Sequence, residues 1–151
     1  MKLKKGIPLI DQHDQLGFWG GKFGGSYIPE TLKKPVEDLT VKFEKLRKDK
    51  KFLAERDYYY NNWVHKGPTP FVKLENLTNH LGGGQIYAKV VSAARGGAHK
   101  IYGAITAAML CKKMNKRYLV TDTGAGYNGK MFSIAAKHFG LKCKVFMGHR
   151  D

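Results

Sequence analysis

The sequence predicts an α/β fold: a parallel sheet with crossover helices, preceded by an N-terminal helical extension. Three observations carry that prediction. Apolar residues between positions 29 and 48 recur at helical spacing, and from residue 71 short β-rich runs alternate with helical stretches. Two glycine-rich turns, Gly96-Gly97 and Gly124-Ala125-Gly126, each stand just before a helical pattern. Strand–helix–strand order builds parallel sheets, because parallel neighbours need a crossover connection. The 151 residues suffice for an ordinary domain with a sizeable core, and 42% hydrophobic with 12% aromatic residues excludes a disordered chain.

Residues 1–29 read as loop. Phe18, Trp19, Phe23 and Tyr27 are interleaved with glycines there, which implies docking onto something, since a plain linker would not carry such aromatics. Pro29 opens a helix to about residue 48, with Leu32, Val36, Leu39, Phe43 and Leu46 along one face. A second helix is expected over 51–64, carrying Phe52, Leu53, Tyr59, Tyr60 and Trp63. Gly67-Pro68-Thr69-Pro70 ends it, because neither proline continues a helix. This gives a first region at 1–70 and a second at 71–151. In the second, Glu75–Leu81 reads as a short helix stopped by three glycines, and 85–91 as a strand. A helix follows at 98–114, a strand at 117–121, a helix at 129–139 and a strand at 142–147. The ligand crevice of such a sheet lies at the carboxyl ends of its strands, where both glycine turns fall.

Composition narrows the function. Cys111 and Cys143 are too few and too far apart for a disulfide framework or a zinc ribbon, so they read as buried thiols of a reducing compartment, and no metal site is expected. No apolar run reaches the roughly 18 residues that cross a bilayer, and the start has a basic flank without an apolar core segment, so a cytoplasmic location is expected. The net charge is +15, and after Asp57 only Glu75, Asp122 and Asp151 are acidic. Such a field attracts polyanions, but the basic residues are scattered and accompanied by no nucleic-acid motif; a solvated surface or a patch for an acidic partner is the expected reading.

The chemistry is expected at the turns. Lys100 follows Arg95-Gly96-Gly97-Ala98-His99 and opens an apolar helix; Thr123-Gly124-Ala125-Gly126 precedes the next one. Helix starts offer free N–H donors and a partial positive charge, so anions bind there. An amine at one start and a small-residue anion loop at the next suit a carbonyl cofactor whose substrates carry carboxylates.

Those residues carry a resemblance. Lys22-Phe23-Gly24-Gly25-Ser26-Tyr27-Ile28-Pro29-Glu30-Thr31-Leu32, then Pro68-Thr69-Pro70, Gly96-Gly97-Ala98-His99-Lys100, Thr123-Gly124-Ala125-Gly126 and Met147-Gly148 follow the order seen in the tryptophan synthase β chain, a pyridoxal-phosphate enzyme of fold type II. The resemblance runs from about residue 21 to 151. It corresponds to the amino-terminal part of such a protein, leaving the carboxy-terminal half without a counterpart.

The resemblance implies that Lys100 forms the Schiff base with pyridoxal 5'-phosphate and that His99 lies near the cofactor phosphate. It also implies that Thr123, Gly124, Ala125 and Gly126 take the substrate carboxylate. Asp122 stands where the family has its catalytic glutamate, one methylene longer. The reaction implied is β-replacement on L-serine by indole, giving L-tryptophan, with an α subunit that delivers indole and with self-association as further expectations. Lys89-Val90-Val91-Ser92, Ile101-Tyr102 and Tyr127-Asn128 depart from the family's polar pattern. The alternative is therefore a chain that keeps the fold and at most captures the cofactor on Lys100.

Overall fold

The computed structural model describes residues 4–14 and 16–149; Met1, Lys2 and Leu3 of the basic start, Gln15, and Asp151 at the end of the resemblance lie outside the described residues. The chain divides into two compact units, Met1–Val41 and Lys42–Asp151.

In the first unit, the segment read as loop contains a small antiparallel hairpin, β1 (Phe18–Trp19) against β2 (Phe23–Gly24). Its entry is set by Asp14, whose Oδ1 accepts the amides of Leu16 and Phe18, both at 2.9 Å. Buried Gln12 closes the segment before it, accepting from the Lys4 amide and donating to the Lys4 and Ile7 carbonyls. Helix α1 (Glu30–Leu46) then follows, at the expected place. Leu32, Val36 and Leu39 of its apolar stripe are exposed.

The second unit holds the core. Helix α2 (Lys50–Tyr59) is capped by Asp49, whose Oδ1 accepts from the amides of Lys51 and Phe52. The helix expected over 51–64 changes pitch near its end, and Tyr60–Val64 forms a π turn. Strand β3 (Phe71–Lys73) follows, then α3 (Glu75–Leu81) and β4 (Tyr87–Lys89). Here the structure differs from the sequence reading. The strand expected at 85–91 is shorter, and it pairs antiparallel with β3, Phe71 opposite Lys89. The cause is local: the Val90 amide donates to the Pro70 carbonyl, and the chain then turns into a 3-10 helix at Val91–Ala93.

Helix α4 (Lys100–Lys113), strand β5 (Tyr118–Thr123), helix α5 (Tyr127–His138) and strand β6 (Lys142–Met147) form the expected crossover unit. Strands β5 and β6 are parallel, in register from Tyr118 opposite Lys142 to Thr123 opposite Met147. Helix α4 is apolar on most sides: Ile101, Ala104, Ile105, Ala108 and Met109 are fully buried, together with Met131, Ala135 and Ala136 of α5. The alanines on both helices let their axes approach closely. Among the described residues no helix is long and apolar enough to cross a membrane. Cys111 packs in this core, and burial pushes its thiol above the ordinary value against the opposing pull of Lys112 and Lys116.

Candidate active site

The site forms where α4 and α5 begin. Residues Arg95–Gly97 make one 3-10 turn in which Gly96 has φ +80°, a left-handed backbone that side-chain-bearing residues avoid. A Cβ on Gly96 would also stand 2.5 Å from the Met131 Sδ and Cε, so the turn lies directly on α5. The chain then extends through Ala98 and enters α4 at Lys100. The first amides of α4 make long 3-10-type bonds, Ile101 to the Ala98 carbonyl at 3.4 Å and Tyr102 to the His99 carbonyl at 3.2 Å.

Lys100 and His99 are exposed at this helix start, and among the described residues Lys100 makes no ion pair. Ile101, one of the residues departing from the resembled pattern, is fully buried. Its neighbour Tyr102 stacks edge-on against Tyr60, with ring centroids 5.1 Å apart. Burial, with Tyr60 beside it, raises the Tyr102 hydroxyl above its ordinary value. The Tyr60 hydroxyl meets Thr106 Oγ1 at 2.6 Å and donates to the Tyr102 carbonyl at 3.1 Å, fastening the π turn to α4.

The second turn closes on itself. The Gly126 amide donates to the Gly124 carbonyl at 2.8 Å, so that N–H points into the loop. Helix α5 begins without a side-chain cap, which leaves donors of its first turn to solvent or a ligand. Gly124 and Ala125 are exposed, and the space beside the Gly124 Cα is open. Thr123 is buried instead, its methyl facing Gly129 of α5. Asp122, the preceding residue on the strand, is exposed on the opposite face, as strand alternation requires. No hydrogen bond or ion pair joins its carboxylate to Lys100 or His99 among the described residues.

Two residues outside the expected set hold the turns together. The Tyr127 hydroxyl donates to the Gly96 carbonyl at 2.5 Å, tying the first residue of α5 to the turn that leads into Lys100. Asn128 Nδ2 donates to Thr121 Oγ1 at 2.8 Å and to the Asp122 carbonyl at 2.9 Å, tying the same helix start back to β5. In the sequence both residues register only as departures from a resembled pattern; their type, a phenol and an amide at a helix start, was the available signal. The arrangement presents a free primary amine and an uncapped helix start on neighbouring turns, which suits covalent capture of a carbonyl compound beside an anion. Residues 63–151, more than half of the chain, match the family described as pyridoxal-phosphate dependent enzyme.

Proposed function

The chain belongs to the pyridoxal-phosphate dependent enzymes, and from that premise we propose a tryptophan-synthase-β-like activity, β-replacement on L-serine by indole. The observation that best supports this reading is the Tyr127–Gly96 hydrogen bond, which joins the turn before Lys100 to the helix after the carboxylate loop. The residues fit the aldehyde end of the cofactor: Lys100 is an exposed amine on a turn whose backbone Tyr127 and Met131 hold in place. When bound, pyridoxal phosphate supplies an electron sink that makes the α-proton of an amino acid removable.

In this reading Lys100 Nζ holds the cofactor and then takes and returns the substrate α-proton, with His99 toward the cofactor phosphate. Thr123, Gly124, Ala125 and Gly126, with the uncapped start of α5, orient the serine carboxylate. The Asp122 carboxyl gives a proton to the departing hydroxyl and afterwards receives the one lost by indole. Association with a second copy, an α-type partner delivering indole, tryptophan biosynthesis as the context, and a cytoplasmic location belong to the same proposal; the location rests on two cysteines that are both free. A second reading, cofactor capture without turnover, is favoured by Asp122 facing away from the α5 side of its strand.

Two experiments separate these readings. Incubation with pyridoxal phosphate and borohydride trapping should label the protein at Lys100 and leave Lys100→Ala unlabelled; equal labelling of both would overturn the assignment. Serine plus indole should then yield tryptophan, and Asp122→Asn should lower that rate about a hundredfold or more, as expected when a proton-transferring group is lost. Labelling at Lys100 without product above the Lys100→Ala background establishes the second reading.

A further inference from the structure

We propose that the groove between the π turn and Arg95 is a binding site for a phosphate-type oxyanion, separate from the amine at Lys100. Asn62, Trp63, His65, Lys66 and Arg95 line an open groove of about 460 Å³. One of its lining groups is a guanidinium held on two sides. Arg95 Nε donates to the Trp63 carbonyl at 2.9 Å, and the Arg95 Cζ stands 4.3 Å from the centroid of the Trp63 ring. The π turn creates this arrangement: it ends at Val64, so the Trp63 carbonyl lacks a helical partner and takes the arginine instead. Trp63 is itself fixed by His138, 4.4 Å away ring to ring. The terminal nitrogens of Arg95 are thereby preoriented as a fork, the geometry that meets two oxygens of a phosphate at once.

The electrostatics favour a doubly charged ligand. Lys66 adds a second cation on the same groove, and among the described residues neither Arg95 nor Lys66 has a carboxylate partner. None is close in sequence either: between Asp57 and Asp122 the only acidic residue is Glu75. Two unneutralised cations on one groove, one of them pinned in position, attract a phosphate dianion more strongly than a monovalent carboxylate. The groove is larger than a bare phosphate needs, so it also admits the organic part of a phosphate monoester.

Trp63 reports on this site directly. In a Trp19→Phe background it is the sole tryptophan, since the chain has two. Its emission should change saturably with inorganic phosphate or glycerol phosphate, and not with sodium chloride at matched ionic strength or with acetate. The tighter of the two phosphates shows whether the ligand is the free ion or an ester. Lys66→Gln, which leaves Trp63 untouched, should weaken binding about tenfold, the loss expected for one charge-assisted contact. Arg95→Lys should abolish the response while circular dichroism stays native. Lys100→Ala should retain it, which keeps this site independent of cofactor capture. The proposal is overturned if chloride or acetate reproduces the phosphate response, if Lys66→Gln binds as the parent does, or if Lys100→Ala removes the response.

Discussion

The Tyr127 hydroxyl reaches the Gly96 carbonyl across 31 residues of sequence, and among the described residues it is the one side-chain hydrogen bond between the start of α5 and the Gly96 turn. An exposed neutral hydrogen bond is worth about 0.5–1.5 kcal/mol, so Tyr127→Phe should lower global stability only slightly. Its effect should be local: without the phenol the Gly96 turn opens more often, because one of its few ties is lost and the Met131 contact, the Ala94–Gly97 hydrogen bond and the Arg95–Trp63 bond are left to hold it. Hydrogen exchange followed by mass spectrometry should show faster exchange in the peptide spanning 94–100; unchanged exchange there would remove Tyr127 as a positioning residue. The Lys100 segment and the Thr123–Gly126 turn stood out in the sequence as candidates because each is a local motif, a short run of particular residues before a helix. The sequence did not show Tyr127 or Asn128 as ties, because two of their three partners are backbone carbonyls and the third, the Thr121 hydroxyl, comes within reach only once the strand and helix are packed. Ile101 illustrates the opposite case. Set against a resembled pattern it looks like a lost polar group, yet a residue on the buried face of α4 has to be apolar.

At the scale of elements, α5 rests on the β5–β6 pair through Gly129. A Cβ there would stand 2.7 Å from Val145 Cγ1 and 3.3 Å from the Thr123 methyl. Glycine inside a helix normally costs about 1 kcal/mol against alanine, so an unobstructed Gly129→Ala would stabilise. Overpacking of a close-fitting contact costs about 1–3 kcal/mol, and a β-branched valine has little freedom to move aside. The contact wins, and Gly129→Ala should lower the denaturant midpoint, with Val145→Ala restoring part of the loss in the double variant. The far end of α5 carries a second test. His138 packs against Tyr59, Trp63 and Phe139, and burial, aided by Arg95, holds its pKa below the ordinary value. The unfolded chain therefore binds this proton more readily, so the stabilising term is complete above about pH 6.5 and declines as the pH falls toward the lowered folded value. The thermal midpoint should fall between pH 7 and pH 5, and His138→Gln should flatten that part of the profile; an unaltered profile would refute it. His138 remains partly exposed, which keeps the effect modest. The helices were legible because their periodicity is long. Strand β3 was not: three exposed residues after a proline carry no alternation, and what stabilises them, the stack of Phe71 on Tyr87 at 5.0 Å, appears only once β4 is beside them.

For the second unit as a whole, the β5–β6 pair is covered by α5 on one face only. Parallel strands are ordinarily buried on both faces. Here Tyr118 (47% exposed), Val120 (55%) and Phe146 (60%) stand on the open side, alternating along the strands away from α5. An apolar strip of this kind favours association with a second copy. On the same open side Lys142 and Lys144 stand directly opposite Tyr118 and Val120, and Asp122 opposite Phe146, and the chain carries +15, so association has to overcome mutual repulsion. The two forces respond differently to salt. Apolar contact survives at ionic strengths where unpaired surface charges are screened over about 10 Å or less. Light scattering should therefore give a mass that rises with protein concentration and rises further between low salt and 0.5 M sodium chloride, a salt level chosen on the order of several times physiological. Val120→Lys, which adds charge to the middle of the strip without touching α5, should hold the chain at monomer mass in low salt and weaken association at high salt. A monomer at every salt and concentration would exclude the strip as a contact between copies. A dimer whose mass falls on adding salt would assign the contact to charged groups elsewhere on the surface.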